Sequence, residues 1–283
     1  MIDYNPKLWT RLIFQFHKTD SFRILLPSII GVGVFCWVVA IIELEFLHLK
    51  YHSTTIIHSL LGFVLSMLLV FRTNTAYDRW WEGRKLWGSL LNNSRNLALK
   101  INPILPAGDP AREALGNLIL LYPQALKEHL RNKKVHGHDL PAGVHQPNFI
   151  ASRLFEEINQ LVVTGKLSGE QLLFLNPELL SFTDICGACE RIKKTPIPYA
   201  YSLFIKKFIF VYIITMPFSF VTEFRYSVIP IVMFVFYVLA SLELIAEEIE
   251  DPFGKDANDL PTDAITESIR LSVLEIMKIP QQS

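Results

Sequence analysis

Six carboxylates fall between residues 247 and 259, in the string EEIEDPFGKDANDLPTD: Glu247, Glu248, Glu250, Asp251, Asp256 and Asp259. Oxygen donors at this density are what a hard cation such as Ca²⁺ binds. The D-x-D-x-D-G spacing of an EF-hand is missing, and composition alone favours a solvated helix end followed by a turn. Cys186-Gly-Ala-Cys189 has the spacing of half a zinc site. A single such pair, with no second pair and no strand before it, reads as structural. His136 and His138 lie in a polar loop without ligand partners. No nucleotide loop, nucleophile elbow or HExxH helix is present, so nothing converges on catalysis. The three cysteines form no disulfide framework.

Two further strings stand out. FRTNTAYDRWWEGRKLWG, 71–88, mixes aromatics with Arg79, Arg84 and Lys85, which suits a helix leaving a membrane through its headgroup layer. CERIKKTPIPYAY, 189–201, offers Pro196 and Pro198 as a helix start.

The elements that must position these strings are apolar runs. The 283-residue chain is 51% hydrophobic yet 19% charged, with 27 basic and 27 acidic side chains, and its mean hydropathy is +0.30. Apolar blocks therefore alternate with polar ones, and the zero net charge argues against nucleic acid as a partner. Ile24–Ile42 and Ser53–Phe71 are uncharged runs of 19 residues, each about 28 Å long as a helix and close to the bilayer core. ELEFLHLKYH between them suffices only for a hairpin. Phe208–Val221 and Tyr226–Leu242 form a second, shorter pair joined by TEFR. The N-terminal MIDYNPKLWTRLIFQF carries Asp3 and no typical cleavage site, so no cleaved signal peptide is expected.

Of the 27 basic residues, 18 lie between Arg72 and Lys207, four precede the first run, and each hairpin loop holds one, Lys50 and Arg225. The positive-inside rule puts both termini and the central block in the cytoplasm. That block reads as helical: 80–97 is amphipathic, Pro103–Pro110 breaks it, and Ala111–Leu130, Ser152–Val163 and Glu170–Glu190 follow, the last interrupted at Asn176-Pro177. The expected organisation is all-α. It comprises an N-terminal segment with the first transmembrane hairpin (1–71), a helical cytoplasmic domain (72–207), a second hairpin (208–242) and an acidic cytoplasmic tail (243–283).

The three strings, in this order, resemble the bestrophin family of ion channels, in its bacterial branch. The resemblance rests on F-R-x-N-x-x-Y-x-R-W-W-E-x-R-x-x-W-G at 71–88, P-x-P-x-x-Y at 196–201 and E-D-P-F-G-x-D-x-N-D-L-P at 250–261, and covers roughly residues 5–270. It implies a homopentamer in which the second membrane helix lines an apolar neck above a cytoplasmic vestibule. Carried onto this sequence, the neck residues are Phe63, Met67 and Phe71. Their spacing of four agrees with one helix face, although on spacing alone lipid-facing or packing roles would serve as well. Gly62 and Ser66, on an adjacent stripe, would allow close helix packing.

An apolar neck cannot replace an ion's hydration shell, so charge selectivity must arise partly elsewhere. Matching TGKLSGEQ, 164–171, to the bacterial pattern puts a second, cytoplasmic exit constriction at Glu170. Relatives can carry an apolar residue there, which makes Glu170 a departure. A ring of carboxylates would attract cations. In animal members a carboxylate clasp after the fourth helix binds Ca²⁺. Asp251, Asp256 and Asp259 match its positions, but Lys255 replaces an acidic residue, so no metal or other cofactor is expected. The resulting expectation is a multi-pass protein of the inner (plasma) membrane. Its partners are further copies of itself, the lipid bilayer and monovalent ions, which it passes passively with a preference for cations such as sodium. The alternatives are a chloride channel of the same architecture, or a non-conducting scaffold or membrane enzyme.

Overall fold

The computed structural model describes residues 20–47, 55–135, 141 and 143–278. The N-terminal basic residues Lys7, Arg11 and Lys18, the loop residue Lys50, and His136 and His138 lie outside these. Among the described residues the regular structure is entirely helical: α1 Asp20–Ile41, α2 Thr55–Ile104, α3 Pro110–Leu130, α4 Gln146–Val163, α5 Gly169–Lys194, α6 Tyr199–Phe224, α7 Val228–Glu250 and α8 Thr262–Met277. The chain forms two compact units, Ile2–Asp78 with Pro196–Glu250 (the hairpin unit) and Arg79–Thr195 with Asp251–Ser283 (the helical unit). The domain boundaries expected from sequence follow residues 71, 207 and 242, whereas the compact units divide after 78, 195 and 250. α2, α6 and α7 each run past the end of their uncharged runs, so hydropathy does not mark the packing boundary.

In the hairpin unit, α1 packs on α6 and α7, which pack on each other. Cys36, Leu65, Leu69, Ile205, Ile209, Ile213 and Val232 form its buried core. Gly62 lets α2 approach α6: a Cβ there would meet the Tyr212 hydroxyl at 2.7 Å. Ser66 is instead exposed and returns its hydroxyl to the Gly62 carbonyl at 2.8 Å. The TEFR connection becomes a 3₁₀ turn, Arg225–Ser227, with Arg225 at φ 50°.

Among the described residues, four stretches are long and apolar enough to cross a membrane: Ser21–Leu47, Ile56–Ile104, Gly169–Lys194 and Tyr199–Glu250. The third is a core helix on physical grounds. Its apolar face (Leu175, Leu179, Phe182, Ile185, Ile192) is buried within the helical unit, and it carries Glu170, Glu178, Asp184, Glu190 and three terminal basic residues. The fourth is two helices, α6 and α7, divided by the 3₁₀ turn. The apolar spans are thus the two hairpins.

In the helical unit, α3 packs on α4, α5 and α8, and α4 on α5, around Trp87, Leu90, Leu97, Tyr122 and Phe182. α2 runs through Pro103, and residues 105–109 separate it from α3, with Asp109 capping the first turn of α3 by accepting from Ala111 N. α5 runs unbroken through Pro177, where an interruption was expected. Side chains of α2 serve carbonyls on either side of the proline: Lys100 Nζ donates to Phe174 O and Asn93 Nδ2 to Glu178 O, each at 2.8 Å. These bonds tie the middle of α5 to α2; the carbonyl that Pro177 leaves without its helical donor is that of Leu173, an exposed residue where water can serve it.

Candidate pore-lining helix and cation sites

α2 is a single helix of 50 residues. Phe63, Met67 and Phe71 lie on one of its faces, 62%, 46% and 58% exposed in the single chain. At 100° per residue Asn74, Asp78, Lys85 and Asn92 continue that face, within about 80° of one another, and all four are exposed. The face therefore changes from apolar to polar between Phe71 and Asn74. Sequence reasoning picked out the apolar half and missed the polar half, although the same helical period would have found it.

The crossover is anchored by the next residue. Arg72 is 1% exposed. Its NH2 group lies 2.6 Å from Glu250 Oε2 and its Nε 3.6 Å from Glu243 Oε2. The other Glu250 oxygen accepts from Ile197 N at 2.5 Å. A charge at the end of an apolar run is thus held inward by two carboxylates of α7, which fixes the rotation of α2 and turns its opposite face outward.

The three strings meet in space. Besides joining Arg72 to Glu250 and Ile197, they bring Arg79 to the carbonyls of Ile192 and Thr195 at 2.5 and 2.6 Å. Trp80 Nε1 donates to Asn258 O at 2.9 Å. Gly83 sits under Phe253 and Leu260, so that an added Cβ would lie 3.1–3.2 Å from their side chains. The motif residues therefore make backbone and core contacts within each unit: Arg72, Ile197 and Glu250 in the hairpin unit, and Arg79, Trp80 and Gly83 in the helical unit.

The clasp candidates are not brought together as a cation cage. Asp251 is exposed, 3.8 Å from Lys193 Nζ. Asp256 is exposed, and its N–H donates to Asp259 Oδ2 at 2.6 Å. Asp259 itself is buried and lies against Gly254. Arg131 Nε donates to the carbonyls of Phe253 and Gly254 at 3.4 and 3.2 Å, so these two backbone oxygens already have a cationic partner. Lys255 is exposed. Ca²⁺ does not fit this arrangement, since charge repulsion from a fixed guanidinium opposes it.

Glu170 is exposed in the first turn of α5. A capping box fixes that turn: Ser168 Oγ accepts from Gln171 N, and Gln171 returns its side-chain oxygen to Ser168 N. Cys186 and Cys189 are buried and free. Burial pushes the Cys186 thiol up to about 12 and the Cys189 thiol higher still, so neither supplies the thiolate that zinc or redox chemistry needs.

The apolar spans of α1, α2, α6 and α7 define an integral membrane protein. Residues 1–275 match the family described as Bacterial/Fungal Bestrophin protein, and the chain belongs to that family. A voltage-dependent anion channel-forming protein of Nostoc sp. is 35% identical over 76% of this chain and 75% of its own length. The voltage-dependent anion channel-forming protein YneE of Escherichia coli is 32% identical over 95% of this chain and 91% of its own. The crystal structure of a bacterial bestrophin homologue from Klebsiella pneumoniae superposes with a TM-score of 0.83 at 29% identity, covering 90% of this chain and 99% of the other. The family points to a channel and away from an enzyme. The expected cation preference finds no support in the names of the Nostoc and Escherichia coli relatives, which specify anions.

Proposed function

We propose that the chain is one subunit of a pentameric anion channel of the bacterial inner membrane, with both termini in the cytoplasm. Five copies of α2 surround its axis. Phe63, Met67 and Phe71 form the apolar neck, and Asn74, Asp78, Lys85 and Asn92 line the wider path beyond it. The observation that carries this reading is the outward face of α2, large and apolar over one stretch and polar over the next, on a helix whose opposite face is locked by Arg72. A lipid-facing helix would have no reason to present Asn74 and Asp78 in register with Phe63 and Phe71.

The neck gates by dewetting or closure, because it offers no oxygens for a bare ion. Aromatic rings carry positive edges, and edges turned toward the axis favour anions. The relatives' names support the same sign. Monovalent anions such as chloride are therefore the proposed cargo. Glu170 favours a second reading. An exposed carboxylate repeated five times at the exit would raise the local cation concentration, making cations the preferred cargo.

Purified protein in liposomes tests the channel itself. Chloride efflux that depends on the protein is expected, and a bilayer that stays tight to both Cl⁻ and Na⁺ would overturn the reading. Glu170→Gln separates the two exits: an unaltered ion preference removes Glu170 from the path, whereas a shift toward anions makes it part of the filter.

A further inference from the structure

Three side chains that no sequence spacing groups meet inside the helical unit. His129 stands in the last turn of α3, His145 is the N-cap of α4, and Glu190 lies late in α5. Glu190 Oε1 is 2.6 Å from Nε2 of His129 and 2.6 Å from Nε2 of His145. The two imidazole centroids are 4.3 Å apart with their planes at 57°. One ligating atom from each residue falls within 4.8 Å of the other two, and all three residues are half-buried.

We propose that His129, His145 and Glu190 form a binding site for a borderline transition-metal cation of the Zn²⁺ type, bound through two imidazole nitrogens and one carboxylate oxygen with water completing the shell. Two nitrogens and one oxygen suit zinc and its neighbours. Ca²⁺ and Mg²⁺ demand oxygens throughout and are excluded by the donor set. Three protein ligands with an open fourth position make a recognised zinc arrangement. Tetrahedral bonds of 2.0–2.1 Å set the ligand atoms roughly 3.3 Å apart. The two imidazoles therefore move outward from Glu190 by less than about 1 Å, a rotamer adjustment that half-exposed rings can make.

Two local features oppose the metal and are small. Asn148 N donates to His145 Nδ1 at 3.2 Å, which keeps the His145 proton on Nε2. Ligation through Nε2 moves that proton to Nδ1 and gives up this long cap bond. Lys194 Nζ lies 3.2 Å from Glu190 Oε2, but its side chain is 68% exposed and free to swing into water. The ends of α3, α4 and α5 would then be stapled by one ion. A vestibule wall made of short helices gains rigidity at the point where no membrane supports it.

The full chain, purified in detergent and stripped with a chelator, is titrated with ZnCl₂ near neutral pH. Calorimetry and metal analysis of the dialysed protein provide the readouts. One Zn²⁺ per chain is expected, with zinc raising the melting temperature. Affinity should fall by about tenfold or more in Glu190→Gln and in His129→Gln, while the double variant His136→Ala/His138→Ala keeps it. Excess Ca²⁺ should not compete. Absence of zinc binding by the wild-type chain overturns the proposal. So does wild-type affinity in both site variants, or loss of binding in the His136/His138 double variant alone. Melting curves of the metal-free variants show whether each folds, and if Glu190→Gln does not, His129→Gln and the wild-type stoichiometry carry the decision.

Discussion

Phe71 and Arg72 are neighbours with opposite assignments. Phe71 points out of the single chain, whereas Arg72 is sealed inside it against Glu243 and Glu250. One residue of helix rotation, 100°, accounts for both. If Phe71 is the last constriction of the neck, Phe71→Ala widens it and single-channel conductance rises, by severalfold if the neck limits conduction. Unchanged unitary current would place the constriction elsewhere. Gly83 yields a prediction independent of conduction. Alanine gains about 1 kcal/mol of helix propensity there, while crowding against the buried rings and methyls of Phe253 and Leu260 costs about 1–3 kcal/mol. Gly83→Ala should therefore melt close to or a little below wild type. Gly83→Val, bulkier and without the propensity gain, should melt several degrees lower, as followed by circular dichroism in detergent. The glycine was visible in the motif, but its reason was not, because Phe253 and Leu260 are remote in sequence. His129, His145 and Glu190 were invisible for the same cause: they come from three helices, with no local pattern to group them.

At the scale of elements, α8 is tied to the end of α3 through Asp263. Its carboxylate accepts from Arg131 at 2.7 and 3.1 Å and lies 2.9 Å from Lys127. The Arg131 hydrogen bonds hold Asp263 well below the usual carboxylate range, against an opposing push from partial burial, with Lys127 assisting. A depressed folded-state value contributes stability that is fully present above the ordinary value of about 3.9 and is lost as pH falls toward the folded-state value. The wild-type melting temperature should therefore drop more steeply below about pH 4 than that of Asp263→Asn. At neutral pH the two differ by about 1 kcal/mol or less, since the side chain is 64% exposed. Parallel melting-against-pH curves would exclude this contribution. At the start of α5, Ser168→Ala removes one side of the capping box and should cost about 1 kcal/mol, seen as a lower melting temperature. Helices were legible from sequence wherever periodicity was long. Their ends were less so: α2 continues far past its apolar run, and α5 passes through Pro177, which leaves only the exposed Leu173 carbonyl without a helical donor. The acidic string at the end of α7 was legible as an unusual composition, yet not that Arg131, at the end of α3, takes the carbonyls of Phe253 and Gly254 within it.

For the whole molecule, the central question is what five such chains would conduct. On the proposed reading the neck sets the gate, and its ring edges lean toward anions while charged groups outside it also act on the sign. Asp78 and Glu170 are acidic and Lys85 is basic on the proposed path, so net composition along α2 does not decide the sign. The resemblance to bestrophins was carried by three strings, which pair within each unit: Arg72 with Glu250 in the hairpin unit, and Arg79, Trp80 and Gly83 with the end of α5 and the 253–260 turn in the helical unit. They leave the sign of selectivity open, because the first string puts Asp78 and Lys85 alike on the proposed path. The most direct measurement is the reversal potential of the purified channel in a planar bilayer with asymmetric NaCl. An anion channel reverses near the chloride equilibrium potential. Reversal near the sodium equilibrium potential would contradict the account and make the carboxylates of the exit the filter.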